Sequence, residues 1–446
     1  MNKPFIRTLM AVAILIMLTM LVMPKLIGLD LRASTVDRVI ALIPPESRQQ
    51  LEIKETHFDS GWFSTYAEFE ITFSPSLPSM DSALNMNIAL DFNHGPILFT
   101  NDGPKLGLAY AKIEPSFNSV EIAEVLDAVT FELPPVDLSL QAGFNQSLLL
   151  KLTIPDFELE QDEIKVNLDG MNIILLANRD QSAELQLSMG ALSAFDSDNA
   201  AGFDLDSVEI RSKSSQIDNL LSPSESVLTL FGLSSSSPLP FAVSEVTYLT
   251  SLGFSTVAEE HFKITQQLQL ADLNSELPVS SLDWKLEIDE IPDDLARTGL
   301  TLLDFLQEEM GSAGLIDGTL KGLNQQMATL VLQNPLLINN SVNASAYDGE
   351  HSLDIMAHWA GLPGASDINS LSLDEIITAL ELEVNMELND AAIESSPFAG
   401  LVDAYEQQGL IRLDNDRILM ELSLIDNELI LNGNSTSLQS ILSGSN

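Results

Sequence analysis

A chain of 446 residues with 45% apolar composition is long enough for two or three cores and too apolar for a disordered polymer. It carries 65 Asp and Glu against 20 Lys and Arg, a net charge of −45. Phosphate backbones and anionic headgroups repel such a body, which makes nucleic acid a poor partner, and self-repulsion keeps the chain soluble. The absence of cysteine excludes disulfides, thiol catalysis and thiolate metal sites.

Leu9 to Met23 is an apolar run with only Thr19 polar, flanked by Lys3, Arg7 and Lys25. Basic residues before an apolar stretch make an export signal, and nothing after Met23 resembles a small-residue cleavage site. The run alone rises about 22 Å, short of a ~30 Å hydrocarbon core. Phe5 to Leu29 reaches that length with Arg7 and Lys25 snorkelling. The expectation is an uncleaved anchor over residues 1–29, N-terminus in the cytoplasm, body outside the inner membrane.

Residues 30–50 read as a helical connector, with Ala33 to Leu42 stopped by Pro44-Pro45. From Leu51 the period is two. Glu68–Phe73 and Leu84–Leu90 alternate, as half-buried strands do. The pattern recurs at Leu148–Ile154, Ile164–Leu168, Ala183–Met189, Phe203–Ile210, Phe241–Leu249, Ile264–Leu270 and Ser281–Ile288. Hairpins are expected at Asp348-Gly349, between Val342–Tyr347 and Leu353–Trp359, and at Asp426-Asn427, between Arg417–Ile425 and Glu428–Asn432. Helices are expected at Val120–Val129, at Ile217–Leu233 before a Ser234–Pro240 linker, and at Asp293–Asn334 as a hairpin bent at Ala313-Gly314. Pro397–Gln408 and Ser437–Leu442 are further helical segments. The fold class is mainly β (α+β): a transmembrane helix followed by extended, curved antiparallel sheets with a few packed helices. The regions are a β-rich 51–290, the helical hairpin 291–335, and a β-rich 336–446 with a terminal helix.

No motif for chemistry emerges. His351 and His358 lie an odd seven residues apart on one strand, on opposite faces, and cannot share a metal through it. No His-Glu-x-x-His, phosphate loop or nucleophile elbow occurs. Asp196-Ser197-Asp198-Asn199 with Gly202, Asp204 and Asp206 has the composition of a calcium loop but lacks the glycine and glutamate that an EF-hand needs, so a polar hairpin loop is the expectation. Asp414-Asn415-Asp416 reads as a turn, and Trp62, Trp284 and Trp359 as sheet packing.

Three short motifs remain. Ser60-Gly61-Trp62-Phe63-Ser64-Thr65 opens a strand; Asp91-Phe92-Asn93-His94-Gly95-Pro96-Ile97 closes one; Asn427 to Gly433 leads into Ser437-Leu438. With the N-terminal anchor, these resemble the YdgA-like family of Gram-negative proteins, a domain of unknown function. The resemblance implies an inner-membrane-anchored periplasmic protein, and it carries over no reaction, no cofactor and no catalytic residue. Gly61, Phe63, His94, Gly95, Pro96, Asn432 and Gly433 are its motif residues, expected to be structural, with His94 bonding across a corner. The leading functional expectation is a non-catalytic envelope scaffold or partner-binding protein. The alternatives are a carrier of lipid or another apolar ligand and, third, a hydrolase using His94 or surface carboxylates.

Overall fold

The computed structural model describes residues 51–73, 84–100, 103–117, 136–161, 164–196, 201–216, 219–236, 240–256, 260–275, 278–309, 317–365 and 370–436. The expected anchor, connector, Val120–Val129 helix and Ser437–Leu442 helix all lie outside these residues. Among the described residues no helix is long and apolar enough to cross a membrane. The chain divides into two units, one of residues 1–190 and 211–220, the other of 191–210 and 221–446.

The first unit is an antiparallel sheet. Its strands are β1 (Leu51–Ser60), β2 (Ser64–Phe73), β3 (Leu84–His94), the small ribbon β4 (Ile97–Thr100) with β5 (Gly103–Leu106), β6 (Ala109–Phe117), β7 (Asp137–Ala142), β8 (Leu148–Ile154), β9 (Phe157–Gln161), β10 (Ile164–Leu168), β11 (Met171–Ala177) and β12 (Ala183–Met189). Hydrogen bonding runs β1-β2-β3-β6-β7-β8-β11-β12. Register puts Ala67, Leu90, Ile113, Leu138, Leu152, Ile173 and Leu187 side by side on one face. Tyr66, Asp91, Lys112, Ser139 and Lys151 line the other. Period-two alternation therefore sorts this sheet into an apolar and a polar face. Its core is Ala67, Phe69, Leu90, Phe92, Ala111 and Ile113, with Phe58, Leu138, Leu140 and Leu150 against it.

The second unit begins with β13 (Leu192–Asp196) and β14 (Ala201–Leu205); β15 (Ser207–Ser214) counts with it as far as Ile210. Then come β16 (Ser224–Ser235), β17 (Phe241–Phe254), β18 (His261–Ala271), β19 (Asn274–Ser275) and β20 (Val279–Pro292). The helical hairpin follows as α1 (Asp293–Glu309) and α2 (Asp317–Gln333); its expected bend, Ala313-Gly314, lies outside the described residues. Next are β21 (Leu336–Ala346), β22 (Gly349–Trp359), α3 (Leu373–Ala379), β23 (Leu380–Asn389), α4 (Asp390–Glu394), α5 (Ala399–Gln407), β24 (Arg412–Asp414), β25 (Arg417–Ile425), β26 (Glu428–Leu431) and β27 (Asn434–Thr436). The long strands pair in the order β16-β17-β18-β20-β21-β22-β23-β25.

Four expectations need correction. Most of the helix expected over Ile217–Leu233 is strand: Ser224–Ser235 is β16, paired along its length with β17, and it takes up the start of the expected linker, while 217 and 218 lie outside the described residues. The run Val227-Leu228-Thr229-Leu230-Phe231 suits either period, and cross-strand pairing decides it. Phe203–Ile210 is two strands, interrupted at Asp206, whose N–H donates to the Phe231 carbonyl at 2.8 Å. The first hairpin turns at Tyr347-Asp348 (φ 52° and 63°), one residue earlier than expected. Gly349 is already paired with Ala346 across this two-residue turn, and Ala392 and Asn389 press so closely on it that a Cβ would sit 2.5 Å from the Ala392 Cβ. Trp62 lies outside the strands, at the β1–β2 turn, and is 47% exposed.

Candidate ligand-binding face

Two of the three sequence motifs come together. Ser64 opposes Asn93 and Thr65 opposes Phe92, so the motif around Gly61 meets the motif around His94 at one end of the first sheet. His94 N–H donates to the Phe63 carbonyl at 2.9 Å, and Gly61 N–H closes the β1–β2 turn on the Ser64 carbonyl at 2.8 Å. The His94 ring is 2% exposed, with Nε2 3.0 Å from Oγ1 of Thr65, itself 1% exposed. Gly95 follows at φ 135°, a conformation that a side chain resists, and lets Pro96 turn the chain into β4. A buried imidazole tied to a threonine holds two strands together; in this conformation it is out of reach of a dissolved substrate.

Asn432 (φ 49°) and Gly433 (φ 80°) form the β26–β27 turn in the second unit. Asn432 Oδ1 accepts from the Glu421 N–H at 2.9 Å, and Nδ2 donates to the carbonyls of Gly409 at 3.1 Å and Leu410 at 3.2 Å. One amide thus fastens a turn, a strand and the end of a helix.

Two further histidines bond within the second sheet. His351 Nδ1 accepts from Asn389 N–H at 3.4 Å while its Nε2 lies 3.0 Å from the Ala346 carbonyl, an arrangement that one tautomer satisfies. Asn389 caps α4. His358 faces Glu381 on the opposite side of β22, at 3.3 Å. Of the calcium-like loop, 197–200 lie outside the described residues, and the backbone N–H of Gly202 donates to Oγ of Ser236 at 2.7 Å. Among the described residues no cluster of three or more His, Asp or Glu could hold a metal ion.

A further feature is an apolar sheet face in the second unit. Across eight strands of the second unit, register aligns Leu228, Tyr248, Leu268, Trp284, Val342, Leu353, Met386 and Met420. One flanking row holds Leu230, Val246, Leu270 and Leu282. The other holds Leu286, Ile355, Val384 and Leu422 beside Thr250, Gln266 and Asn340. Each of these side chains is partly exposed, and none is buried. Eight strands span roughly 34 Å at about 4.8 Å per strand. An antiparallel sheet ordinarily covers its apolar face with a second layer.

Among the described residues, helices cover only the ends of this face. At one end Leu295, Ala296 and Leu300 of α1 and Met327, Leu330 and Val331 of α2 pack on Phe262, Ile264, Ile288 and Leu252. At the other, Ala392 of α4 seats against Gly349. The rows between are mainly apolar. Their polar groups are few, and Nε1 of Trp284 donates to Oδ1 of Asn340 at 2.7 Å. A mostly apolar surface with a small number of placed polar groups is the composition of an apolar-ligand site.

The reverse face is polar. A depression of about 230 Å3 is lined there by Lys285, Glu287, Asn339, Ser341, Asp354 and Asn385. Partial burial pushes the Glu287 carboxyl up, and hydrogen bonds from Lys263 at 3.0 Å and Lys285 at 3.3 Å outweigh it, so the net shift is downward. Alternation in β18, β20 and β22 is plain in the sequence; that no described element covers the middle of their apolar side is not.

No curated protein and no solved structure matches the chain. A family model matches residues 1–439, and by that match the chain belongs to the family of bacterial proteins of unknown function DUF945.

Proposed function

We propose that this protein is a tethered envelope protein that holds an apolar ligand of the acyl-chain class on the open sheet face of its second unit. The observation that carries the reading is the row from Leu228 to Met420 with its two neighbours: three rows of mainly apolar side chains, partly exposed, between α1–α2 and α4. Such an exposed face on an otherwise acidic body marks an interaction site. The apolar N-terminal run and the YdgA-like resemblance support an address in the bacterial envelope, anchored in the inner membrane with the body outside.

The test is photo-crosslinking of the purified full chain with a photoreactive fatty acid, followed by peptide mapping. The reading expects adducts concentrated on peptides holding Leu268, Trp284, Leu353, Met386 and Met420. It also expects Leu268→Asp with Leu353→Asp to abolish them while the far-ultraviolet circular dichroism is kept. Adducts scattered over both sheet faces, or their persistence in the double variant, would sink it and return the protein to a scaffold role.

A further inference from the structure

A second surface stands out in the first unit, and it is made of loop tips. The end of the sheet where β1 turns into β2 also carries the β3–β4 corner, the β4–β5 ribbon, the start of β6 and the β7–β8 turn, because Asn93 pairs with Tyr110 and Ala109 with Ala142. At this end Trp62 and Phe63 are 47% and 57% exposed, and Phe144, on a turn closed by Gly143 and Ser147, is 49% exposed. The ribbon is two-sided. Leu98, fully buried, fixes its inner side, while Ile97 pairs with Leu106 and Phe99 with Pro104 on the outer side. Those outer side chains are all exposed, Phe99 and Leu106 at 72% and 71%.

Charge is sparse at the tips of the same end, and the exposed Asp59 and Asp91 stand one residue further in, beside Tyr66. Residues 60–65, 92–108 and 142–147 contain one carboxylate, Asp102, and one cation, Lys105, in a protein with 65 acidic residues. Lys105 pairs with Leu98, on the inner side of the ribbon. A partner protein recognised by charge would be met by the carboxylates elsewhere, and a protein hot spot is a packed pocket more often than a row of protruding tips. Protruding Trp, Phe and Leu on turns of so little charge suit a soft, planar, low-charge partner, the interfacial layer of a bilayer, where aromatic rings concentrate. We infer that this end of the first unit inserts its loop tips into a lipid surface. The inference is independent of the sheet-face reading, since the residues belong to the other unit.

The lack of native cysteine makes the test direct. Phe99→Cys, Phe144→Cys and, as control, Asn415→Cys are each labelled with a polarity-sensitive dye on the full chain. Each is measured in lipid nanodiscs of phosphatidylcholine and again after adding phosphatidylcholine vesicles. Insertion into either lipid source shifts the emission of the dyes at 99 and 144 to the blue and leaves the dye at 415 unchanged; comparing the two arms tells which surface is touched. Adding Phe63→Ser and Leu106→Ser weakens that response about tenfold or more. No shift at 99 and 144 in either arm would overturn the inference. So would an equal shift at 415, or a shift produced by a protein extract alone.

Discussion

Thr65 and His94 show how a motif histidine is tied into the fold. Their hydrogen bond sits where the β1–β2 turn meets the end of β3, away from water. Thr65→Val keeps the shape of the side chain, and deleting a buried, hydrogen-bonded hydroxyl costs about 1–3 kcal/mol. The urea midpoint should fall accordingly, and Thr65→Ser should recover most of the difference. Asn432 is a parallel case in the second unit. Asn432→Asp retains the acceptor for Glu421 N–H and gives up both donations to Gly409 and Leu410, a cost of roughly 2 kcal/mol readable in the same titration. Gly349→Ala forces a methyl against Ala392 and Asn389 and should destabilise by about 1–3 kcal/mol.

Among the elements, the short helices and hairpin turns are where local sequence and structure agree most closely. Ser372 and Glu375 cap α3 reciprocally, with the Ser372 N–H donating to Glu375 at 2.8 Å. Hydrogen bonds from the Ser372 backbone, then from its hydroxyl, hold the Glu375 carboxyl below its ordinary value. Asp426-Asn427, with φ of 52° and 66°, makes the expected turn between β25 and β26. On the polar face of the second sheet, β18 and β20 are joined by Lys263, Lys285 and Glu287. The folded-state Glu287 carboxyl lies below its unfolded value, so its contribution is complete above the ordinary carboxylate range, about 4.3, and is lost as pH falls through the depressed value. Glu287→Gln should therefore flatten the acid limb of a stability–pH curve and leave the slope near neutrality unchanged.

For the whole molecule the net charge of −45 is the dominant electrostatic fact. Carboxylates crowd the surface with few cations to answer them, and ion pairs such as Arg412–Glu421 at 2.7 Å are exposed. Raising ionic strength from about 0.01 M to 0.15 M shortens the screening length from roughly 30 Å to 8 Å. The melting temperature should rise across that range, and neutral sucrose should not reproduce the salt dependence. A flat response would mean that self-repulsion is no burden to the folded state. The apolar sheet face and the sparsely charged loop tips are two surfaces with little share in this acidity, and for that reason each carries a functional proposal.

Much of the architecture was legible along the chain. Strands β8, β10 and β12 fall at Leu148–Ile154, Ile164–Leu168 and Ala183–Met189, as alternation dictates, because a sheet with one wet face must repeat every second residue. Acidity, the missing cysteines and the two late hairpins were likewise matters of composition and turn chemistry. Pairing decided the rest. The segment Val227 to Phe231 became strand because β17 lay beside it, and Gly349 joined β22 because the turn closed on Tyr347 and Asp348. Register across eight strands brought Leu228 into one row with Met420, at the far end of the second unit, and the placement of the described helices left that row partly exposed. A one-dimensional pattern states which side of a strand is apolar. Whether that side faces a core, a ligand or a membrane depends on what the rest of the chain lays against it, and only the tertiary structure settles that.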